Sequence, residues 1–156
     1  MVHNGSAEIV PTGSIFVKSA RIIINTSAAK IFDLIADPRR HIDFDGSGHL
    51  MGGVTGPDRL SFGAKFGMDM DWKAKYRILN KVVEFEKDKQ IAWSHFMKHR
   101  WRYQLRALDA NTTEVIETFD GRTALFPPIL FLINAYKLNQ KALLQTLPRL
   151  KVLAES

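Results

Sequence analysis

The chain has 156 residues, no cysteine and a formal net charge of +6. The lack of cysteine excludes disulfides, a thiolate nucleophile and thiolate metal sites. Hydrophobic residues make up 46% of the chain and charged residues 24%, a balance typical of a soluble globular domain. No apolar run is long enough to span a bilayer and no signal-peptide pattern is present, so we expect a cytoplasmic protein. Residues 1–13 predict a flexible arm, and residues 14–156 a single domain.

The first third of the domain predicts one strand and two short helices. Ile15 to Asn25 is rich in Ile and Val, which favour a strand. Thr26 is then suited to cap a helix, and Asp37-Pro38 ends it, because a residue that precedes proline resists helical geometry. A second helical turn is expected at residues 38–42.

The middle of the chain predicts an antiparallel meander. Residues 44–67 are glycine-rich and irregular, with a weak strand within 49–55. From residue 63 the chain is strand-like for most of its length up to residue 121. We place strands at 63–72, 74–87, 90–97, 100–109 and 112–121. The connections between them are too short for crossovers, so neighbouring strands must run antiparallel.

The last long apolar segment, residues 127–153, predicts one amphipathic helix that the rest of the chain surrounds. Its apolar stripe recurs at spacings of three and four residues, as Ile129, Ile133, Tyr136, Leu143, Leu147 and Leu150. Pro148 predicts a kink or a short break. Residues 126–133 are apolar on every side, and core, pocket lip and docking surface remain open for them. The element order predicts an α+β protein whose curved antiparallel sheet leaves a ligand cavity beside the helix.

Several short motifs resemble one superfamily. Ile31-Phe32-Asp33-Leu34-Ile35-Ala36-Asp37-Pro38 is similar to the first-helix signature of the SRPBCC superfamily, which includes START-like lipid-transfer domains. Further segments resemble its bacterial polyketide cyclase/dehydrase group: 44–48, 83–86, 91–93, 101–103 and 113–118. The resemblance implies a helix-grip fold with an apolar cavity. It does not imply a reaction, because the superfamily contains carriers, sensors and cyclases.

Alternation along the predicted strands assigns a set of residues to the cavity wall. The set is mostly aromatic and methionine side chains, which suit a flat or flexible apolar ligand. Its members are Phe66, Met68, Met70, Trp72, Tyr76, Asn80, Trp93, His95, Trp101, Tyr103, Ile133 and Tyr136. The alternative is that the same side chains simply fill the core.

Two residues are candidates for acid–base chemistry. An unperturbed histidine titrates near neutral pH, which makes His95 a candidate acid or base, and Glu117 in an apolar wall would have a raised pKa. The segment 41–49 contains His41, Asp43, Asp45 and His49, but their spacing fits no standard metal motif and Val54 stands where a calcium loop needs a glutamate. We therefore expect a turn-forming entrance loop there, no metal and no cofactor.

The residues favour binding of a small hydrophobic molecule, such as a lipid or polyketide-like compound, by a carrier or sensor. The alternative is a polyketide cyclase/dehydratase-type acid–base enzyme that uses the same cavity. Arg100, Arg102 and Arg106 alternate with the aromatic positions and point away from them, and no nucleic-acid module is present, so no nucleic-acid partner is expected. The net charge and the Ile129–Ile133 run allow for weak peripheral membrane contact. Oligomeric state is left open.

Overall fold

The computed structural model describes residues 5–156 as an eight-stranded antiparallel sheet that curves around a long C-terminal helix. The strands are β1 (Glu8–Val10), β2 (Val17–Ile24), β3 (Leu50–Thr55), β4 (Lys65–Trp72), β5 (Ala74–Glu86), β6 (Gln90–Ser94), β7 (Arg100–Asp109) and β8 (Thr112–Asp120). The helices are α1 (Ala28–Ala36), α2 (His41–Phe44), α3 (Ile129–Leu132) and α4 (Ala135–Glu155), with a 3₁₀ turn at Pro38–Arg40. The predicted α+β class and helix-grip architecture are confirmed.

The strand order is β1-β2-β8-β7-β6-β5-β4-β3, and every pairing is antiparallel. The meander predicted from the short turns is therefore correct. In the register, Tyr103 of β7 lies opposite Ile91 of β6 on one side and Glu117 of β8 on the other. Because alternate side chains point to opposite faces, this row lies on one face of the sheet. The buried apolar members of this face pack against α1 and α4.

The predicted N-terminal arm is wrong in part. Glu8–Val10 forms the edge strand β1, which pairs with β2, and Arg21 of β2 makes an ion pair with Glu8 at 3.2 Å. The β-branched pair Ile9-Val10 supplies the strand propensity, but three residues are too few to show a periodic pattern. Residues 1–4 of the predicted arm lie outside the described residues.

The predicted cap of the first helix is displaced by one residue. Ser27, not Thr26, caps α1, and its hydroxyl accepts a hydrogen bond from the backbone N–H of Lys30 at 3.3 Å. The carbonyl of Thr26 instead accepts a hydrogen bond from the hydroxyl of Thr113 at 2.9 Å. The helix ends before Pro38, as the sequence predicts.

The long apolar segment forms two helices rather than one. Asn134 separates α3 from α4 with a φ of 58°, a left-handed conformation that asparagine tolerates better than most residues. No break occurs at Pro148, since α4 continues through it to Glu155. The side chains of Leu143, Leu147 and Leu150 around this proline are buried in the core and hold that part of the helix on the sheet.

The interior consists of two clusters of apolar side chains. The main cluster joins α1, the inner sheet face and the second half of α4. The smaller cluster lies at the other end of α4 and contains Phe119, Ala124, Leu130, Ala135 and Tyr136. Trp101 packs against both clusters and connects them. In the described part of the chain, no helix is long and apolar enough to cross a membrane.

Candidate functional site

Five of the predicted wall residues lie deep on the inner face of the sheet. Phe66, Met68, Trp93 and Tyr103 belong to the main cluster, and Asn80 is buried as well. They come from β4, β5, β6 and β7, so each strand contributes through the alternation that the sequence predicts. The middle of the sheet therefore presents an aromatic surface to the interior.

The other predicted wall residues are less buried than these five or belong to the smaller cluster, and Trp101 connects the two clusters. Tyr76 is 41% exposed and Ile133 38% exposed, so neither belongs to an enclosed wall. Trp72 is half-buried, with its ring 6.4 Å from that of His49, and Met70 packs against the edge of the main cluster. Tyr76 is exposed because it lies at the start of β5, where residues 74–77 are all open to solvent. Tyr136 is buried, but in the smaller cluster.

A box of aromatic rings lies between the sheet and the helices. The imidazole of His41 from α2 stacks on Trp93 with ring centroids 4.8 Å apart. Phe66 contacts both rings edge-on, at 5.5 Å from each. Tyr103 continues the box, 5.7 Å from Trp93 and 6.4 Å from Phe44. Edge-to-face packing of this kind is favourable beyond the area that it buries.

Two hollows among the described residues lie outside the space between the sheet and α4, where the sequence predicts the cavity. One, of about 290 Å³, lies on the outside and is bounded by Lys18, Phe131, Asn134, Tyr136, Lys137 and Gln140. The second, of about 360 Å³, lies over polar side chains that include Gln90, Gln104 and Arg106. The aromatic box occupies the position where the sequence predicts the cavity.

Glu117 is the buried acid of the inner face. The hydroxyl of Tyr103 donates a hydrogen bond to its Oε1 at 2.8 Å, while its Oε2 makes no hydrogen bond. Burial raises the pKa of Glu117 to about 8; the Tyr103 bond opposes this rise and the charge of Asp45 adds to it. Glu117 therefore carries its proton at neutral pH, and a protonated carboxyl can donate a hydrogen bond from its O–H.

Asn80 is a second buried polar group without a complete set of partners. It lies on β5 opposite Phe66, and its Oδ1 accepts no hydrogen bond. A buried carbonyl oxygen that lacks a partner costs about 1–3 kcal/mol. Such a cost is usual where a ligand, a water or catalysis needs the group.

His95 lies beyond the end of its strand, whereas the sequence predicts that the strand continues to residue 97. β6 ends at Ser94 rather than at residue 97, and His95 belongs to the turn that leads to β7. Its ring lies 4.6 Å from that of His99, which in turn lies 4.6 Å from Trp101. Burial lowers the pKa of His95 to about 4 and that of His99 to about 3, so both rings are neutral. The two candidate acid–base groups thus belong to separate clusters.

The sequence missed two histidines. His99 precedes Trp101 by two residues, so extending the alternation of β7 backward would have placed it on the inner face. The sequence predicts a polar entrance loop at His41, yet this residue is buried and its Nε2–H donates to the carbonyl of Ile35 at 2.8 Å. Burial lowers the pKa of His41, which keeps the ring neutral. Its position on Trp93 depends on a contact between distant segments.

The polar side chains of segment 41–49 do not converge on one site, because each contacts a different partner. Asp43 pairs with Arg40 at 2.9 Å, Asp45 accepts from the hydroxyl of Ser47, and His49 contacts the carbonyl of Asp71 through Nδ1 at 3.1 Å. Among the residues that the structure describes, no group of three or more potential ligands is placed to hold a metal ion.

These features define a helix-grip protein with an aromatic interior. Solved structures share the fold: a protein of Rhodobacter sphaeroides superimposes with a TM-score of 0.71 at 12% identity over 94% of this chain and 96% of its own. An AHSA1-like protein of Aeromonas hydrophila superimposes with a TM-score of 0.56 at 15% identity over 88% of this chain and 95% of its own. At these identities the likeness extends to the fold alone.

Two curated proteins are similar in sequence. Over 107 residues the chain is 37% identical to the uncharacterized protein Rv0088 of Mycobacterium tuberculosis strain H37Rv, and 36% identical to the uncharacterized protein MT0096 of strain CDC 1551. Each match covers 68% of this chain and 48% of the other protein, so the chain spans about half the length of these relatives. No protein-family model matches the chain.

Proposed function

We propose that the chain is a member of the SRPBCC superfamily that carries or senses a small, mostly apolar molecule between the inner sheet face and α4. The helix-grip fold and the first-helix motif support the membership. The observation that carries the binding proposal is the unpaired Oε2 of Glu117, a buried polar atom in an aromatic surface. Apolar pockets with a few placed polar groups are typical of small-molecule sites.

The chemistry of Glu117 specifies the polar end of the ligand. Its raised pKa leaves an O–H available at neutral pH, which suits a carbonyl oxygen on the ligand. Rings of Trp93, Phe66 and Phe44 suit an apolar body. The fitting class is therefore a hydrophobic molecule with one carbonyl group.

Access requires movement of the segment that covers the inner face. α2 supplies His41 and Phe44 to the aromatic box, and β3 follows it along the chain. β3 pairs with β4 only irregularly, with register shifts around Gly52. Short, irregular edge pairing opens more readily than a central strand. We place ligand entrance at residues 41–55.

Native mass spectrometry of the purified protein tests whether an apolar compound copurifies. Titration calorimetry then compares a long-chain methyl ketone with the alkane of the same length. We expect the ketone to bind roughly tenfold more tightly, the value of one hydrogen bond to a buried donor. Glu117→Leu removes this preference, while the exposed control Tyr76→Phe keeps it. Equal binding of ketone and alkane by the unaltered protein contradicts the proposed role of Glu117.

An acid–base enzyme is the second candidate, because a carboxyl with a pKa of about 8 beside a tyrosine hydroxyl can donate a proton near neutral pH. Recovery of the copurified compound unchanged after incubation supports the carrier. Conversion of the compound, abolished in Glu117→Gln while binding persists, supports the enzyme instead.

A further inference from the structure

One end of the molecule carries a group of large apolar side chains that project into solvent. We define the apolar tip as Phe96, Leu125, Phe126, Phe131 and Leu132, which are between 46% and 83% exposed. The backbone N–H of Leu125 donates to the carbonyl of Met97 at 3.1 Å, which joins the β6–β7 turn to the segment before α3. The tip is therefore one surface built from two segments.

Packing beneath the tip fixes its shape. Phe131 lies 4.4 Å from Tyr136 and 5.8 Å from Phe16, measured between ring centroids. The hydroxyl of Tyr136 donates to the carbonyl of Pro127 at 3.1 Å, and Leu130 is fully buried. Turning Leu130 inward on such a short helix leaves Phe131 and Leu132 facing out. The exposure is thus a consequence of ordered structure.

The charges around the tip are mostly positive. Residues 121–153 contain no aspartate or glutamate, and Lys137 and Lys141 lie in that range, whereas Arg122 is paired with Asp120 at 2.8 Å. Lys98 is exposed in the turn that carries Phe96. Lys18 and Lys137 line the hollow of about 290 Å³, which Phe131 also bounds. Exposed apolar side chains beside cations, without carboxylates in the same segment, match the headgroup region of an anionic bilayer.

We propose that the apolar tip docks onto an anionic membrane surface, with Leu132 and Phe126 below the headgroups and Lys18, Lys98 and Lys137 at headgroup level. The hollow between Lys18 and Lys137 is open and cationic, and accommodates a lipid phosphate. A second copy of the chain is a poorer occupant, because a two-fold contact would bring the same lysines together. This proposal does not depend on the ligand proposed above.

Sedimentation with lipid vesicles tests the docking. Vesicles of phosphatidylcholine alone are compared with vesicles that contain roughly one-third phosphatidylglycerol, at about 0.05 M and about 0.5 M salt. We expect binding to the anionic vesicles at low salt, and much less at high salt or without phosphatidylglycerol. Failure to bind the anionic vesicles, or equal binding to both compositions, overturns the proposal.

Matched variants locate the contact. Leu132→Ser lowers the partition coefficient by roughly tenfold or more, because one leucine is kept out of the bilayer. Lys137→Gln lowers it about fivefold. The controls Phe62→Ser, at an equally open phenylalanine outside the tip, and Lys75→Gln on β5 leave it unchanged. Equal losses of vesicle binding in the control variants overturn the proposal. A dimer in size-exclusion chromatography that Leu132→Ser dissociates also overturns it.

Discussion

Glu117 on the inner face and Glu84 on the outer face are carboxylates of one sheet whose pKa values shift in opposite directions. Glu117 accepts one hydrogen bond, from Tyr103, and burial raises its pKa to about 8. Glu84 accepts two from Arg102, at 2.9 and 2.7 Å, and a third from Arg100 at 2.9 Å. The bonds from Arg102, more than any other contact, lower the pKa of Glu84.

The difference shows that the partners on each face of the sheet decide whether a carboxylate is ionised and how it affects stability. The outer face supplies guanidinium groups, so Glu84 is held ionised and stabilises the sheet above the ordinary glutamate pKa. That stability is lost as pH falls through the lowered pKa. The inner face supplies rings and one hydroxyl, so Glu117 is held neutral and its ionisation costs stability as pH rises. A group that is kept unpaired at such a cost is a candidate for binding.

The largest expected effect comes from a substitution that removes the free-energy cost of ionising Glu117. Its pKa rises from 4.5 to about 8 on folding, so stability is complete below pH 4.5 and falls by about 1.4 kcal/mol per pH unit up to about pH 8. Glu117→Gln keeps the shape without the ionisation. We expect nearly equal stability near pH 4.5 and a variant more stable by on the order of 4 kcal/mol at pH 8.

Urea unfolding at intervals between pH 4.5 and pH 8 measures this difference. Glu86→Gln, at an exposed position of the same sheet, is the control and should follow the unaltered protein. If the midpoints for Glu117→Gln and the unaltered protein stay parallel over the whole range, Glu117 does not titrate as the geometry requires.

A smaller effect is expected from breaking the outer network. Glu84→Gln removes the negative charge and one acceptor oxygen beside Arg102, whose side chain is 15% exposed and whose remaining charged partner is Asp120 at 3.3 Å. We expect a loss of about 2–3 kcal/mol at pH 7, since a largely buried cation loses its main partner. Asp33→Asn, which breaks the open pair with Arg59, should cost less than about 1 kcal/mol. Comparable losses of unfolding free energy for the two variants would mean that the Glu84 network contributes no more than an open ion pair.

The sheet could be predicted from the sequence because its signals are local. Alternation and short turns place β4 to β8 within a few residues of their bounds. The interruption at Asn134 could not be predicted, since the apolar stripe continues across it and a single left-handed residue leaves no periodic trace. Two-residue alternation also does not locate a strand end, as at His95, where β6 stops at Ser94 rather than at residue 97.

The candidate site was only partly predictable. Alternation of β8 places Glu117 inside, but the missing partner of its Oε2 depends on side chains that other parts of the chain bring near it. The stack of His41 on Trp93 joins residues far apart in sequence, which no local pattern encodes. The predicted ligand role of the inner residues stays a prediction.

The smallest effect concerns the one hydrogen bond that Glu117 accepts. Tyr103→Phe keeps the ring contacts with Trp93 and Phe44 and removes only the hydroxyl, at a cost of about 1 kcal/mol in unfolding free energy at pH 5. The Tyr103 bond lowers the pKa of Glu117, so its loss moves that pKa above 8 and extends the decline in stability to higher pH. Tyr76→Phe, at an exposed tyrosine, should change neither quantity. A decline that still ends near pH 8 in Tyr103→Phe would mean that the hydroxyl does not set the protonation of Glu117, and that burial alone makes the inner face differ from the outer one.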